Sequence, residues 1–334
     1  MPAPAVAEAG TLPNPVGPLS ETVLAALGTP PSGRSWPVFP QEAADPYGLD
    51  LHLALHVCYE LHYRGFHGVN PEWEWNPELL RFRGALEYTF LTALRTDVPG
   101  GNDVSEAVGP LLVEPDDGDG LSRFLRDKGE WWQMREYFAH RSIYHLKEAD
   151  PHAWVLPRLT GKAKAALVAV EFDEFGGGRA DRMHSKLFAD LLDGAGLDSS
   201  YLGYLDAVPA PALAVVNMMS MFGLHRALRG ALVGHFAAAE ITTAPAAKRM
   251  VAALRRLAAD PACVRFYAEH VEADAVHEQV LRHDVLDDLL QREPHLAADV
   301  VFGVQATELV ESRLAEHLMT NWAQARTSLL RPLP

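Results

Sequence analysis

Cysteine is nearly absent: Cys58 and Cys263 are the two in 334 residues. That excludes a disulfide framework and a thiolate-rich zinc site, and it fits a reducing compartment. Long apolar runs are also missing. The most continuous stretch, residues 210–224, is interrupted by Pro211, Asn217 and Ser220, so nothing reads as a spanning helix of roughly 18 or more apolar residues. The first twenty residues carry no Lys or Arg and do not resemble a secretory signal. Positive charge is in deficit, with 29 Lys and Arg against 44 Asp and Glu and a net charge of −15. Such a surface repels phosphate backbones and argues against nucleic acid as a partner. Alternating strand patterns, a fixed-period repeat and a Gly-x-Ser-x-Gly elbow are all lacking. Gly176–Gly178 is no phosphate loop, because it follows a helical pattern and has no Lys-Ser/Thr continuation. The expectation is a cytoplasmic protein without a membrane segment.

What remains is helical periodicity. Residues 1–46 are rich in Pro, Ala and Gly and are expected to form a flexible or irregular arm. Residues 47–119 read as an N-terminal helical extension, with helices over 51–64 and 77–95 and a loop over 98–120 that has room for a short helix. Residues 120–330 read as the main domain. Its expected helices are a long one over 122–149 capped by Ser122, then 162–175, 180–192, 211–236, 246–259, 261–290 and 294–324. The fold class is all-α.

Three segments carry chemistry. In His270-Val-Glu-Ala-Asp274-Ala-Val-His277, positions i, i+4 and i+7 share one helical face. Phe266, Val271 and Val280 flank that face, and buried His and Asp groups are costly unless paired or metallated. The bland alternative is a solvated face with charge pairs. The second segment runs from Glu171 through Glu174 and a glycine triplet to Asp181 and His184. Asp181-x-x-His184 repeats the Asp274-x-x-His277 spacing, and an acid and a His at i, i+3 on two helices is a known way to build a two-metal site in a helical bundle. Here the alternative is a helix end followed by a polar turn. Glu148 is the third contributor and draws its meaning from the other two. Glu148, Glu174, Asp181, His184, His270, Asp274 and His277 together offer imidazoles and carboxylates without thiolate, a set suited to iron or manganese and large enough for two ions. No His in the chain has a Glu three residues before it, which counts against a ferritin-like bundle. His52-x3-His56-x3-Glu60 also lies on one helical face, with packing of the N-terminal helix as its main reading and a separate metal site as the alternative.

In these residues the chain resembles the haem-oxygenase-like diiron oxidases and oxygenases, a family of iron-containing redox enzymes. The shared elements are Glu148 on one core helix, acid-x-x-His at Asp181 and His184, and His-x-x-x-Asp-x-x-His at His270, Asp274 and His277. The successive separations, 26 residues from Glu148 to Glu174, 10 on to His184 and 86 on to His270, also match. The similarity spans roughly residues 120–325. It implies a haem-oxygenase-like helical bundle with an irregular N-terminal extension, two Fe2+ ions held by the seven residues, and O2 as co-substrate. Glu174 occupies the place of an added carboxylate found in amine N-oxygenating members, so the resemblance implies N-oxygenation of a small amine or amino-acid derivative in specialised metabolism. A desaturase or carbon–carbon lyase of the same family is the enzymatic alternative, and a non-catalytic all-α interaction protein the other. A small-molecule substrate is the expected partner; an external electron donor and homodimerisation are compatible with this reading.

Overall fold

The computed structural model describes residues 9–31, 44–113 and 120–333, with the side chains of 272–275 excepted. Among the described residues the chain is helical and forms no β-strand; extended backbone pairs at one isolated bridge, Gly10 to Phe66. Among the described residues no helix is long and apolar enough to cross a membrane.

The N-terminal region is more ordered than its composition suggests. Helix α1 (Pro18–Leu27) starts with Pro at its first position, where the missing N–H costs nothing. Its first amides are capped from another helix: the Asp50 carboxylate accepts from the Leu19 and Ser20 N–H groups at 2.9 and 2.8 Å. Asp50 lies on α2 (Leu49–Glu60). Thus the expectation of an irregular 1–46 arm holds for neither 18–27 nor its contact with α2, while residues 1–8 and 32–43 lie outside the described residues. Helices α3 (Pro77–Asp97) and α4 (Val104–Val108) complete the extension. Asn76 caps α3 through the Glu78 and Leu79 amides. Buried Leu55, Tyr59 and Phe90 join the same hydrophobic cluster as the rest of the chain.

The long helix expected over 122–149 is broken into α5 (Leu121–Asp127), α6 (Trp131–His145) and α7 (Asp150–Ala153). Arg256 makes the first break affordable by donating to the carbonyls of Leu125, Arg126 and Gly129, which a continuous helix would have used itself. Ser122 is not a cap; its hydroxyl accepts from Arg249. Pro151 begins α7 instead of ending a helix. Then follow α8 (Gly161–Glu174), α9 (His184–Gly194) and α10 (Ala210–Leu224). Helix α11 (Arg229–Arg256) runs through Pro245 and unites two segments that were expected to be separate. Helix α12 (Pro261–Val280) passes into a π-helical turn, Leu281–Leu286, before α13 (Asp287–Arg292). Helix α14 (Ala297–Ala323) closes the bundle.

Helix α11 is the centre of the bundle, with α12 on one side and α14 on the other, and α9 packs against α12. The α11–α14 contact is backbone to backbone. A Cβ on Gly234 would stand 2.1 Å from the Val300 carbonyl oxygen, so any side chain there would drive the helices apart. This close packing leaves the interior between α6, α8, α9, α11 and α12 as the place where polar side chains meet.

Candidate metal centre

Six buried ligand-type residues converge in that interior as two triads. Glu148, His184 and His270 form one, and Glu174, Glu240 and His277 the other; within each, the donor atoms lie within 4.8 Å of one another. Glu148 comes from the turn after α6, Glu174 is the last residue of α8, and His184 the first of α9. Glu240 lies on α11, and His270 and His277 on α12.

The glycine triplet joins the triads. Gly176, Gly177 and Gly178 all adopt positive φ, a region that other residues rarely enter. A Cβ on Gly176 would be 2.6 Å from the Met183 nitrogen. The tight reversal returns the chain so that His184 Nδ1 stands 2.7 Å from Glu174 Oε2. The other oxygen of Glu174 is 3.5 Å from His277 Nδ1. One carboxylate therefore reaches an imidazole of each triad. The rings of His184 and His270 are 4.3 Å apart.

Neighbouring groups orient the donors. His270 Nδ1–H donates to the Phe266 carbonyl at 2.8 Å, which leaves Nε2 with its lone pair; among the described residues that buried atom has no hydrogen-bond partner, and it lies 3.9 Å from Glu148 Oε2. His277 Nε2 contacts the Asp173 carboxylate at 3.2 Å, which turns Nδ1 toward Glu174 and Glu240, the latter 3.3 Å away. Such outer hydrogen bonds select the tautomer that a metal-binding imidazole requires. His145 Nδ1 holds Glu148 Oε2 at 2.9 Å.

The charge balance differs between the triads. Burial would raise the Glu148 pKa, but the imidazoles of His145, His270 and His184 outweigh it and hold the carboxyl below its usual range. Burial and the adjacent His184 keep His270 neutral, its pKa lowered. Glu240 is pushed well above the carboxylate range, by burial first and then by Glu174 and Glu148. Glu171, one turn before Glu174, is raised to about 9 by burial and by Glu174 and Glu240. Both of its oxygens are buried without a hydrogen-bond partner. Leaving such groups unsatisfied costs about 1–3 kcal/mol each. A cation between the carboxylates would remove that cost, so the residues present fit a pair of divalent metal ions.

Of the seven residues singled out in the sequence, five meet here: Glu148, Glu174, His184, His270 and His277. Asp181 does not. The helix expected over 180–192 is interrupted at Met183, whose backbone is extended (φ −54°, ψ 135°), so Asp181 and His184 share no helical face. The Asp181 side chain is 71% exposed and pairs with Arg179 at 3.5 Å. Asp274 lies within α12, but its side chain is outside the described residues. Glu240 escaped the sequence reading because it falls in 237–245, between the helices expected over 211–236 and 246–259. A lone carboxylate after the buried alanines Ala237 and Ala238 was the available signal. His52, His56 and Glu60 stand apart from both triads. They are fully buried, with Asn217 beside His52 and Glu60 in an ion pair with Lys147 at 2.7 Å.

The chain belongs to the family of iron-containing redox enzymes, whose model matches residues 135–312; both triads fall within that span. Its fold is the all-α, haem-oxygenase-like helical fold. A relative among characterised proteins is the nitrosourea synthase of Streptomyces achromogenes subsp. streptozoticus, 25% identical over 161 residues. That alignment covers 48% of this chain and 34% of the relative, so the chain matches about a third of the relative's length.

Proposed function

We propose that the protein is an O2-activating non-haem diiron oxygenase that N-oxygenates a small amine or amino-acid derivative. The observation that carries this reading is the pair of buried triads sharing Glu174. Mixed imidazole and carboxylate donors suit Fe(II), and two triads provide for two ions. Glu148, His184 and His270 would hold one; Glu174, Glu240 and His277 would hold the other, with Asp274 as a further ligand from its place between His270 and His277 in sequence. Glu174, whose two oxygens face His184 and His277, would serve both. When bound, the iron pair supplies the electrons that activate dioxygen.

The protein's own contribution is to hold these donors dry and in the right tautomer. Phe266 and Asp173 fix the imidazoles, and His145 holds the Glu148 carboxylate. The surplus of carboxylates around Glu171, Glu174 and Glu240 favours a site that accepts positive charge, whether from a metal or from an ammonium group. The choice of nitrogen chemistry is supported by Glu174 and by the relative, whose name denotes formation of a nitroso compound.

The test is anaerobic Fe(II) loading of the full chain, followed by O2 and a panel of small amines, with products followed by mass spectrometry. Uptake of two irons per chain and a product heavier by oxygen on nitrogen is expected. Two irons with a desaturated or cleaved product would move the assignment to another reaction of the family, and a chain that takes up no iron would contradict the reading altogether.

A further inference from the structure

Four side chains outside both triads form one directed chain of hydrogen bonds. Thr307 on α14 donates its hydroxyl to the Gly303 carbonyl at 2.7 Å, so its oxygen is left to accept from His235 Nδ1–H at 2.8 Å. A neutral imidazole protonated on Nδ1 has a bare Nε2, and His235 Nε2 lies 3.1 Å from His152 Nε2. His152 must then carry its proton on Nε2. Its Nδ1 is left as the acceptor for the Tyr144 hydroxyl, 3.3 Å away. With the Thr307 hydroxyl donating to Gly303, every other proton in the chain has one place, and all of them point the same way, from Tyr144 toward Gly303.

The surroundings fix this order. Both histidines are buried, and His152 stacks on Phe236 with ring centroids 4.1 Å apart. Burial keeps both imidazoles neutral: His235 is pushed down to about 4, and His152 well below its ordinary value. The chain also flanks the metal centre at two points. Tyr144 precedes Glu148 by four residues, and its ring lies 5.1 Å from that of His145, the residue that holds Glu148. His235 precedes Glu240 on α11.

The direction of the phenol decides its chemistry. A tyrosine that served the centre as an acid would aim its proton at the centre. Tyr144 aims it at His152, a neutral base that belongs to neither triad, so what it can give toward the centre is an electron. A phenol buried in a protein is hard to oxidise when the proton has nowhere to go, because a charged radical would be left in a medium of low dielectric. Nδ1 of His152 removes that obstacle.

We propose that Tyr144 is an oxidisable residue of the metal centre and that His152, backed by His235 and Thr307, is the base that makes it so. One electron passes from the phenol to an oxidant of the iron–dioxygen class at the centre. The Tyr144 O–H bond breaks, and its proton forms an N–H bond at Nδ1 of His152. The products are a neutral phenoxyl radical, a His152 imidazolium still bonded to His235, and an oxidant reduced by one electron. The identity of the oxidant rests on the diiron reading above; the order of the hydrogen bonds does not.

The experiment has two parts, each on the full chain. In the metal-free protein, nitrogen NMR of 15N-labelled histidine should show His152 as the Nε2–H tautomer and His235 as the Nδ1–H tautomer; the opposite assignment overturns the proposal. For the second part, the metal-free chain is oxidised by a photoexcited ruthenium polypyridyl complex with a sacrificial acceptor, and the iron-loaded chain by O2. Both are frozen and examined by electron paramagnetic resonance. A tyrosyl signal is expected in each and should be lost in Tyr144→Phe. It should also fail to accumulate in His152→Asn, which keeps a polar acceptor but no basic nitrogen; a merely structural role for His152 would survive that change. A signal unaffected by Tyr144→Phe overturns the proposal, as does O2 consumption by the iron-loaded chain without the radical. If the chain binds no iron, the diiron reading fails while the photo-oxidation still decides on Tyr144: a signal lost in Tyr144→Phe supports the pair, and no such signal overturns it.

Discussion

The two triads are built on different principles. In the first triad two members are held from outside: His145 grips the Glu148 carboxylate, and the Phe266 carbonyl sets the His270 tautomer. The turn that carries Glu148 is itself fastened, because Lys147 is buried in an ion pair with Glu60 and the Leu146 carbonyl accepts from Arg64 at 2.9 Å. Glu174, Glu240 and His277 are charge-rich instead. Glu240 and Glu171 are raised above the usual carboxylate range by burial first and then by neighbouring carboxylates, Glu174 above all. The first triad is pre-organised; the second is held in suspense until a cation arrives. The N-terminal extension, outside the region matched by the family model, belongs to the first arrangement through Glu60.

The largest effect expected from this contrast is on stability. Glu60→Ala would leave the Lys147 ammonium buried without its partner and should destabilise the metal-free protein by about 3–5 kcal/mol, measured by urea unfolding. It should also weaken iron binding at the first triad through the displaced Glu148 turn. Next come the ligands themselves. His184→Ala and Glu240→Ala are each expected to lower iron uptake from two per chain toward one, and Glu174→Ala to impair both sites, as read by iron analysis after anaerobic loading. Equal losses from all three would erase the distinction between a terminal and a shared ligand.

A smaller effect of opposite sign concerns Glu171. Its pKa is about 9 in the fold against an ordinary 4.5. The folded chain binds a proton there that the unfolded chain releases, so this residue's contribution is fully present below about pH 4.5 and is lost as pH rises toward about 9. Glu171→Gln should therefore stabilise the metal-free protein, by an amount that grows across that window to about 1–3 kcal/mol near neutrality. A thermal-melting series at several pH values checks it, and a pH-independent difference would show that the carboxyl is already ionised. Asp173→Asn should weaken iron at the second triad about 10–100-fold, with no effect on the first, as site-resolved titration can show. Smallest of all, Asp181→Ala is expected to leave iron uptake unchanged, because its side chain faces solvent beside Arg179.

How much of this was legible in the sequence depends on how local the cause is. His270 and His277 could be read because seven residues of one uninterrupted helix bring them to the same side. Glu174 could be read from its distance to His184, although the reason for their contact, three successive residues at positive φ, is visible only as a glycine triplet. Asp181 was misplaced by the same segment, since the spacing i, i+3 means a shared face only if no break falls between. Glu240 was hidden because neighbours on α12 and α14 carry α11 through Pro245, an outcome decided by tertiary packing. The α1 helix was unreadable for a similar reason: its amino end is capped by Asp50, some thirty residues later. The all-α class survived all these errors because it rests on the sum of the helical pattern and not on any one boundary, whereas the haem-oxygenase-like resemblance was carried by the spacing of Glu148, His184, His270 and His277.

The central claim is that two ions sit on either side of Glu174. Anomalous diffraction at the iron edge from crystals loaded with Fe(II) without oxygen tests it most directly. The account predicts two peaks, about 3.5–4 Å apart as in other two-metal sites, one among Glu148, His184 and His270 and the other among Glu174, Glu240 and His277, with the Glu174 carboxylate between them. A single peak, or iron bound away from both triads, would contradict it.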